Sequence, residues 1–184
     1  MSKNAYIFLA EGCEECEALI TVDILRRGGV DVTTVSISDT DFVTSSHNIT
    51  FKADKKFSEI NLDAADMLIL PGGMPGTNNL MACKELTDLV LRYYNSSKRI
   101  AAVCAAPTIF GQLGLLKGKK ATCFKGMEDK LIGATVVNEQ VVTDGNITTS
   151  RGLGTTIPFA LELLKLLVSE EAANMISNKI IYTA

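Results

Sequence analysis

One histidine, His47, stands in a chain of 184 residues, and no second C-x-x-C accompanies Cys13-Glu14-Glu15-Cys16. A zinc site therefore lacks half its ligands, and any motif needing two histidines is excluded. No run of Lys or Arg is present, and 18 basic against 21 acidic residues leave a formal net charge of -3. With a pI near 5.2, the chain carries no electrostatic footprint for DNA or RNA. No apolar run approaches the ~20 residues that span a bilayer, and the opening MSKNAYIFLAEG has too short an apolar core for a secretory signal. A cytoplasmic protein with no membrane or nucleic-acid partner is expected. Gly152-Leu153-Gly154 is part of neither a G-x-G-x-x-G nor a Walker Lys-Ser/Thr motif, so no nucleotide cofactor is implied. The five cysteines are an odd number, which argues against a secreted disulfide framework and for reduced thiols.

What is present is apolar material. Hydrophobic residues make up 47% of the chain and mean hydropathy is +0.21, enough for one sizeable core. No repeat, linker or composition break divides the sequence, so a single domain over residues 1–184 is expected. Residues 5–10, 67–70 and 100–103 are short apolar runs that stop abruptly at Glu11-Gly12, Pro71-Gly72-Gly73 and Cys104. Such continuous runs read as strands buried on both faces of a parallel sheet. Residues 30–37 alternate as a second strand, and 42–44 with 49–52 read as a small peripheral hairpin. Further strands are expected at 120–123, 135–137, 140–142 and 147–149. Helical spacing covers 15–27, 86–94, 155–168 and 170–177. In the helix at 155–168, Ile157, Leu161, Leu164 and Val168 line one stripe that Phe159, Leu163 and Leu166 widen. The fold class is α/β with a mostly parallel sheet covered on both faces.

In such sheets ligands bind at the carboxyl ends of the strands, and three features converge there. Cys104 ends a strand three residues before Pro107, which opens a helix, so the thiol sits on an elbow among backbone N–H groups that favour a thiolate. Glu17 shares its helix face with Ile20, Thr21 and Ile24; burial there raises a carboxyl's pKa and keeps it able to shuttle a proton. Gly72 and Gly73 offer unhindered backbone N–H groups for an oxyanion. Glu14 and Glu15 read as ordinary acids of a helix's first turn. Cys13 and Cys16 lie on the same rim and could form a redox dithiol. His47 reads as a surface residue of the hairpin.

The stretches EGCEECEALITVDILRRGG, LILPGGMPGTNNL, AAVCAAPT, KATCFKGMEDKL and TSRGLGT together resemble the ThiJ/PfpI superfamily, and within it the branch of the parkinsonism-associated protein and its bacterial-type members. The resemblance runs nearly end to end. It implies a flavodoxin-like three-layer sandwich, usually dimeric, in which Cys104 is the reactive cysteine, Glu17 the acid beside it, and Gly73 with Ala105 the backbone donors. It also implies that Asp23 and Arg27 lie at a subunit interface. Two residues depart from the family pattern: Phe124 stands where the human-type branch has a His, and His47 where it has an Arg.

Three functions follow. The first is a cofactor-free, metal-free glyoxalase or deglycase, acting through Cys104 on 2-oxoaldehydes such as methylglyoxal or on glycated protein, in defence against carbonyl or oxidative stress. The second is a redox sensor or chaperone built on oxidation of the same cysteine. The third, a peptidase or amidase, lacks a His directly after Cys104, where Ala105 stands.

Overall fold

The strand register places the three expected rim features side by side. The computed structural model describes residues 3–183; Met1, Ser2 and Ala184, which the expected 1–184 domain includes, lie outside the described residues. The chain runs β1 (Asn4–Leu9), α1 (Glu15–Arg27), β2 (Asp31–Ser36), β3 (Phe42–Thr44), β4 (Thr50–Lys52), β5 (Lys55–Lys56), β6 (Met67–Leu70), α2 (Gly76–Ala82) and α3 (Lys84–Asn95). It continues through β7 (Arg99–Val103), α4 (Pro107–Gln112), β8 (Lys120–Ala121), β9 (Thr135–Val136), β10 (Val141–Asp144), β11 (Ile147–Ser150), α5 (Thr156–Leu167) and α6 (Glu170–Lys179).

A seven-stranded sheet has the order β10-β11-β7-β6-β1-β2-β5, and only the β10–β11 pair is antiparallel. Strands β7, β6 and β1 are consecutive neighbours, so Cys104, Gly72 and the loop before α1 meet at one edge. Their side chains alternate between two cores because successive residues of a strand face opposite ways. Ala5, Ile7, Leu9, Ile69 and Val103 pack on one side with α1, α5 and α6. Tyr6, Phe8, Leu68, Leu70 and Ala102 pack on the other with α3 and α4. This is the expected three-layer α/β sandwich, with its apolar strands covered on both faces.

Four local expectations change. The hairpin β3–β4 pairs only with itself, and the strand that extends the main sheet is β5, two lysines joined to β2 through the backbone. The strand expected at 120–123 shortens to β8, which pairs in parallel with β9 as a separate ribbon. Helix α2 carries Gly76, Asn78 and Asn79, all weak helix formers, and is fastened by Asn79 Nδ2 donating to Glu11 O (2.8 Å) and Thr77 Oγ1 donating to Gly73 O (3.0 Å). In α5 the fully buried stripe is Phe159, Ala160, Leu163 and Leu164, whereas Val168 is 47% exposed. Of the expected stripe, Leu164 is buried with Phe159 and Leu163, Ile157 and Leu161 are half-buried, and Val168 lies at the margin. Phe159→Ala should therefore lower the unfolding free energy by about 3–5 kcal/mol, and Val168→Ala by no more than about 0.5 kcal/mol; urea titration of both variants distinguishes the two stripes.

Candidate active site

Cys104 is the first residue after β7 and adopts φ of 64°, a left-handed conformation that strains a residue with a Cβ by about 1–3 kcal/mol. Backbone bonds on either side hold it there. Its N–H donates to Ser150 O (3.0 Å), and its carbonyl accepts from Phe124 N–H (2.8 Å). The turn lifts the sulfur off the strand, and the side chain is partly buried. Backbone N–H groups of Gly73 and Ala105 donate to the sulfur.

Glu17 reaches the same spot from the first turn of α1 and is 1% exposed. Gly72 N–H donates to its Oε2 at 2.8 Å, and Cys104 is hydrogen-bonded to its carboxyl. Gly72 therefore orients the acid and leaves the sulfur-facing donors to Gly73 and Ala105, a correction to the expectation that Gly72 N–H serves an oxyanion. Gly72 must lack a side chain: a Cβ there would lie 2.6 Å from Cys104 Cβ and 2.7 Å from Glu17 Oε2. At Gly73, φ is +88° and a Cβ would meet Glu14 N at 2.3 Å.

Burial pushes the Glu17 carboxyl from its ordinary 4.5 up to about 7, against the lowering effect of the bonds from Cys104 and Gly72. Burial likewise pushes the Cys104 thiol up to about 12, followed by the charge of Glu17 and the bond to it, while Gly73 and Ala105 N–H groups pull it down. The backbone donors alone thus do not make the thiol acidic, contrary to the sequence expectation. The two groups titrate as a pair: the pair loses one of its two protons near neutrality, and a thiolate forms in the fraction in which the carboxyl keeps the other.

The start of α1 is built to hold this carboxyl. Glu14 caps the helix, its Oε2 accepting from Glu17 N at 2.6 Å, and Glu14 N–H donates to Gly72 O at 2.9 Å. Glu15 pairs with His47 Nδ1 at 3.1 Å, which sequence reading missed because the two lie 32 residues apart. His47 is otherwise the exposed loop residue expected. Glu14, Glu15 and His47 place ligand atoms within 4.8 Å of one another, but the Glu14 cap and the Glu15–His47 pair already engage all three. Cys13 is fully buried, and burial pushes its thiol up to about 12; Cys16 is partly buried, and both are free thiols.

Asp23 and Arg27 lie outside this site, one turn apart on the outer face of α1, where Arg27 Nε meets Asp23 Oδ2 at 2.6 Å. Val22, Ile24 and Leu25 beside them are buried in the core of the same chain.

A partly buried thiol on a strand-to-helix elbow, facing a buried glutamate across the rim of a parallel sheet, defines a class of α/β proteins. The chain belongs to the DJ-1/PfpI family, whose model matches residues 3–166. It is 41% identical to Protein DJ-1 homolog B of Arabidopsis thaliana over 182 residues, covering 98% of this chain and 42% of that protein. The chain thus spans less than half the length of that relative. It is 31% identical to the glutathione-independent glyoxalase DJR-1.2 of Caenorhabditis elegans over 175 residues, covering 94% of this chain and 92% of that one. The crystal structure of Drosophila melanogaster DJ-1beta superposes with a TM-score of 0.96 at 33% identity, covering all of both chains.

The raised carboxyl pKa has a cost with a definite pH window. The folded state holds a proton that the unfolded chain releases, so the penalty is absent below about pH 4.5, grows above it and is complete above about pH 7. A shift of this size corresponds to roughly 3 kcal/mol. Glu17→Gln removes the charge and keeps an acceptor for Gly72 N–H, so it should stabilise the protein by about 1–3 kcal/mol at pH 8 and hardly at pH 4.5. Urea unfolding at both pH values checks this; equal effects at the two would mean that the carboxyl is not held protonated.

Proposed function

We propose that this protein is a cofactor-free enzyme of the glyoxalase or deglycase type, acting on small 2-oxoaldehydes such as methylglyoxal or on their adducts with protein. The observation that carries the reading is the apposition of Cys104 and the buried Glu17 carboxyl beside the Gly73 and Ala105 N–H groups. The thiolate adds to the aldehyde carbon, and the two N–H groups stabilise the oxyanion as it forms. Glu17 gives that oxygen its proton. The resulting carboxylate then takes the hydrogen from the former aldehyde carbon, electrons shift toward the ketone, and the proton returns at the neighbouring carbon. The product is a thioester of the 2-hydroxy acid, which water hydrolyses to release lactate and restore the thiol. The glyoxalase among the relatives supports the assignment by analogy.

The protein is expected to act in the cytoplasm under carbonyl or oxidative stress; no helix among the described residues is long and apolar enough to cross a membrane. A second reading, a redox sensor or chaperone, draws on the partial exposure of Cys104, which leaves the sulfur open to peroxide with Glu17 at hand to hydrogen-bond a sulfinate. A peptidase is least supported, because Ala105 follows Cys104 and the one histidine of the chain pairs with Glu15. Incubation with methylglyoxal, without glutathione or metal, should yield lactate. Cys104→Ala should abolish it, and Glu17→Gln should slow it by about 100- to 10,000-fold. No lactate from the wild type would leave the sensor reading standing.

The working form is proposed to be a homodimer joined through α1. Leu19, Asp23 and Arg27 follow one another at four-residue spacing, so they share a face, and Leu19 is 42% exposed there. Light scattering at micromolar concentration should give close to twice 19.8 kDa, and Leu19→Asp should shift the mass toward the monomer. A monomeric wild type would overturn this assembly.

A further inference from the structure

A cavity of about 450 Å³ opens beside the elbow, walled by Thr122, Lys125, Glu128, Asn138 and Arg151 among others. Its lining residues are close in sequence to residues that neighbour the thiol. Arg151 immediately precedes Gly152, where an added Cβ would lie 3.8 Å from Cys104 Sγ, 3.8 Å from Glu17 Oε1 and 3.5 Å from the Phe124 ring. Thr122 and Lys125 flank Phe124 in the chain, and Phe124 N–H is bonded to Cys104 O. Phe124, 51% exposed, thus stands between sulfur and cavity.

The wall is charged. Arg151 is partly buried, yet among the described residues neither it nor Lys125 has a carboxylate within salt-bridge distance. Glu128, the one acidic residue of the wall, turns its Oε2 to Gly126 N–H at 2.7 Å. Two cations against one carboxylate leave the wall net positive. Thr122, which lines the cavity, is 2% exposed, and its N–H donates to Thr149 Oγ1 at 3.0 Å. A hydroxyl, an amide and two cations set against one carboxylate, Glu128, form a donor set that an oxyanion ligand would satisfy.

We propose that this cavity binds the anionic end, a carboxylate or a phosphate, of the compound whose carbonyl reaches Cys104. The inference rests on the carbonyl-processing reading and deepens it: 2-oxoaldehydes that carry a negative group should be preferred over uncharged ones such as methylglyoxal. An acid-bearing substrate would lay its chain past Phe124, with its charge at Arg151 and Lys125 and its carbonyl under Gly73 and Ala105.

The test needs no turnover. Cys104 is labelled with 6-maleimidohexanoate and, separately, with its uncharged amide twin, and the rates are read by mass spectrometry of the Cys104 peptide. The tail reaches beyond the elbow, and the ratio of the two rates cancels any general effect on the thiol. The carboxylate probe should react about threefold to fivefold faster, the worth of a partly exposed charge contact. Combining Lys125→Gln with Arg151→Gln should bring the ratio near unity, and Glu128→Gln should raise it. A ratio near unity in the wild type, or one that survives the double substitution, overturns the subsite. Inorganic phosphate and acetate are then added as competitors: the stronger one identifies the preferred group, and failure of both at tens of millimolar also overturns it. Lactate from methylglyoxal with a ratio of unity would refute the subsite alone. A strong ratio without lactate would refute the carbonyl-processing reading alone.

Discussion

Burial of the Glu17 carboxyl against the Cys104 sulfur is the constraint on which the site depends. A carboxyl that is 1% exposed resists ionisation, and a thiol beside it resists ionisation further if the carboxyl does lose its proton. Placing the two together ties the charge on either to the proton on the other. In the proposed reaction that coupling lets the sulfur act as a nucleophile without being acidic in the ordinary sense: the pair need lose only one proton, near neutrality, for thiolate character to develop. The strained backbone of Cys104 serves the same end, since only the left-handed turn swings the sulfur away from β7 and under the Gly73 and Ala105 donors.

The surrounding elements make this juxtaposition difficult to relax. Glu14 binds Gly72 through its backbone and caps Glu17 through its side chain, so one residue fixes both ends of the carboxyl's cradle. The β3–β4 hairpin adds a clamp: Thr44 O accepts from Gly12 N–H, and Ser46 N–H donates to Cys13 O. The loop before α1 is therefore held from two sides, and the entropy of ordering it is offset within the protein before any ligand arrives. Fixing donors in advance matters more than adding them, because a donor that must move toward an oxyanion contributes less than one already aimed.

The parts legible in the sequence are those in which local pattern and burial agree. Strands β1, β6 and β7 are buried on both faces, so their apolar runs stop where the chain turns, and the turns hold the chemistry. Cys104 was readable for that reason, as was Glu17 on an apolar helix face. Helix α2 was not, because contacts to Glu11 and Gly73 override the poor propensity of its Gly and Asn residues. The pairing of β5 depends on backbone bonds to β2, which two lysines do not announce. In α5 the sequence is apolar around most of the helix, so periodicity alone could not select the buried side. The charges of Lys125 and Arg151 meet only through tertiary structure, and no motif links them.

The departures from the family pattern bear on how protons move. With Phe124 where a histidine stands in the human-type branch and Ala105 directly after the nucleophile, no imidazole follows or faces the sulfur along those segments. His47 is held by Glu15, whose carboxylate raises the imidazole's pKa and favours its charged form, so it is a poor base. In the proposed reaction, acid and base work on a substrate at Cys104 then falls to one carboxyl acting in sequence, donating first and accepting next. A carboxyl at its ordinary 4.5 would be ionised before the substrate arrived, and one raised far above neutrality would be too reluctant to lose its proton. A value of about 7 lets Glu17 do both within one turnover at neutral pH, and the apolar face of α1 with the Gly72 N–H is what sets it there.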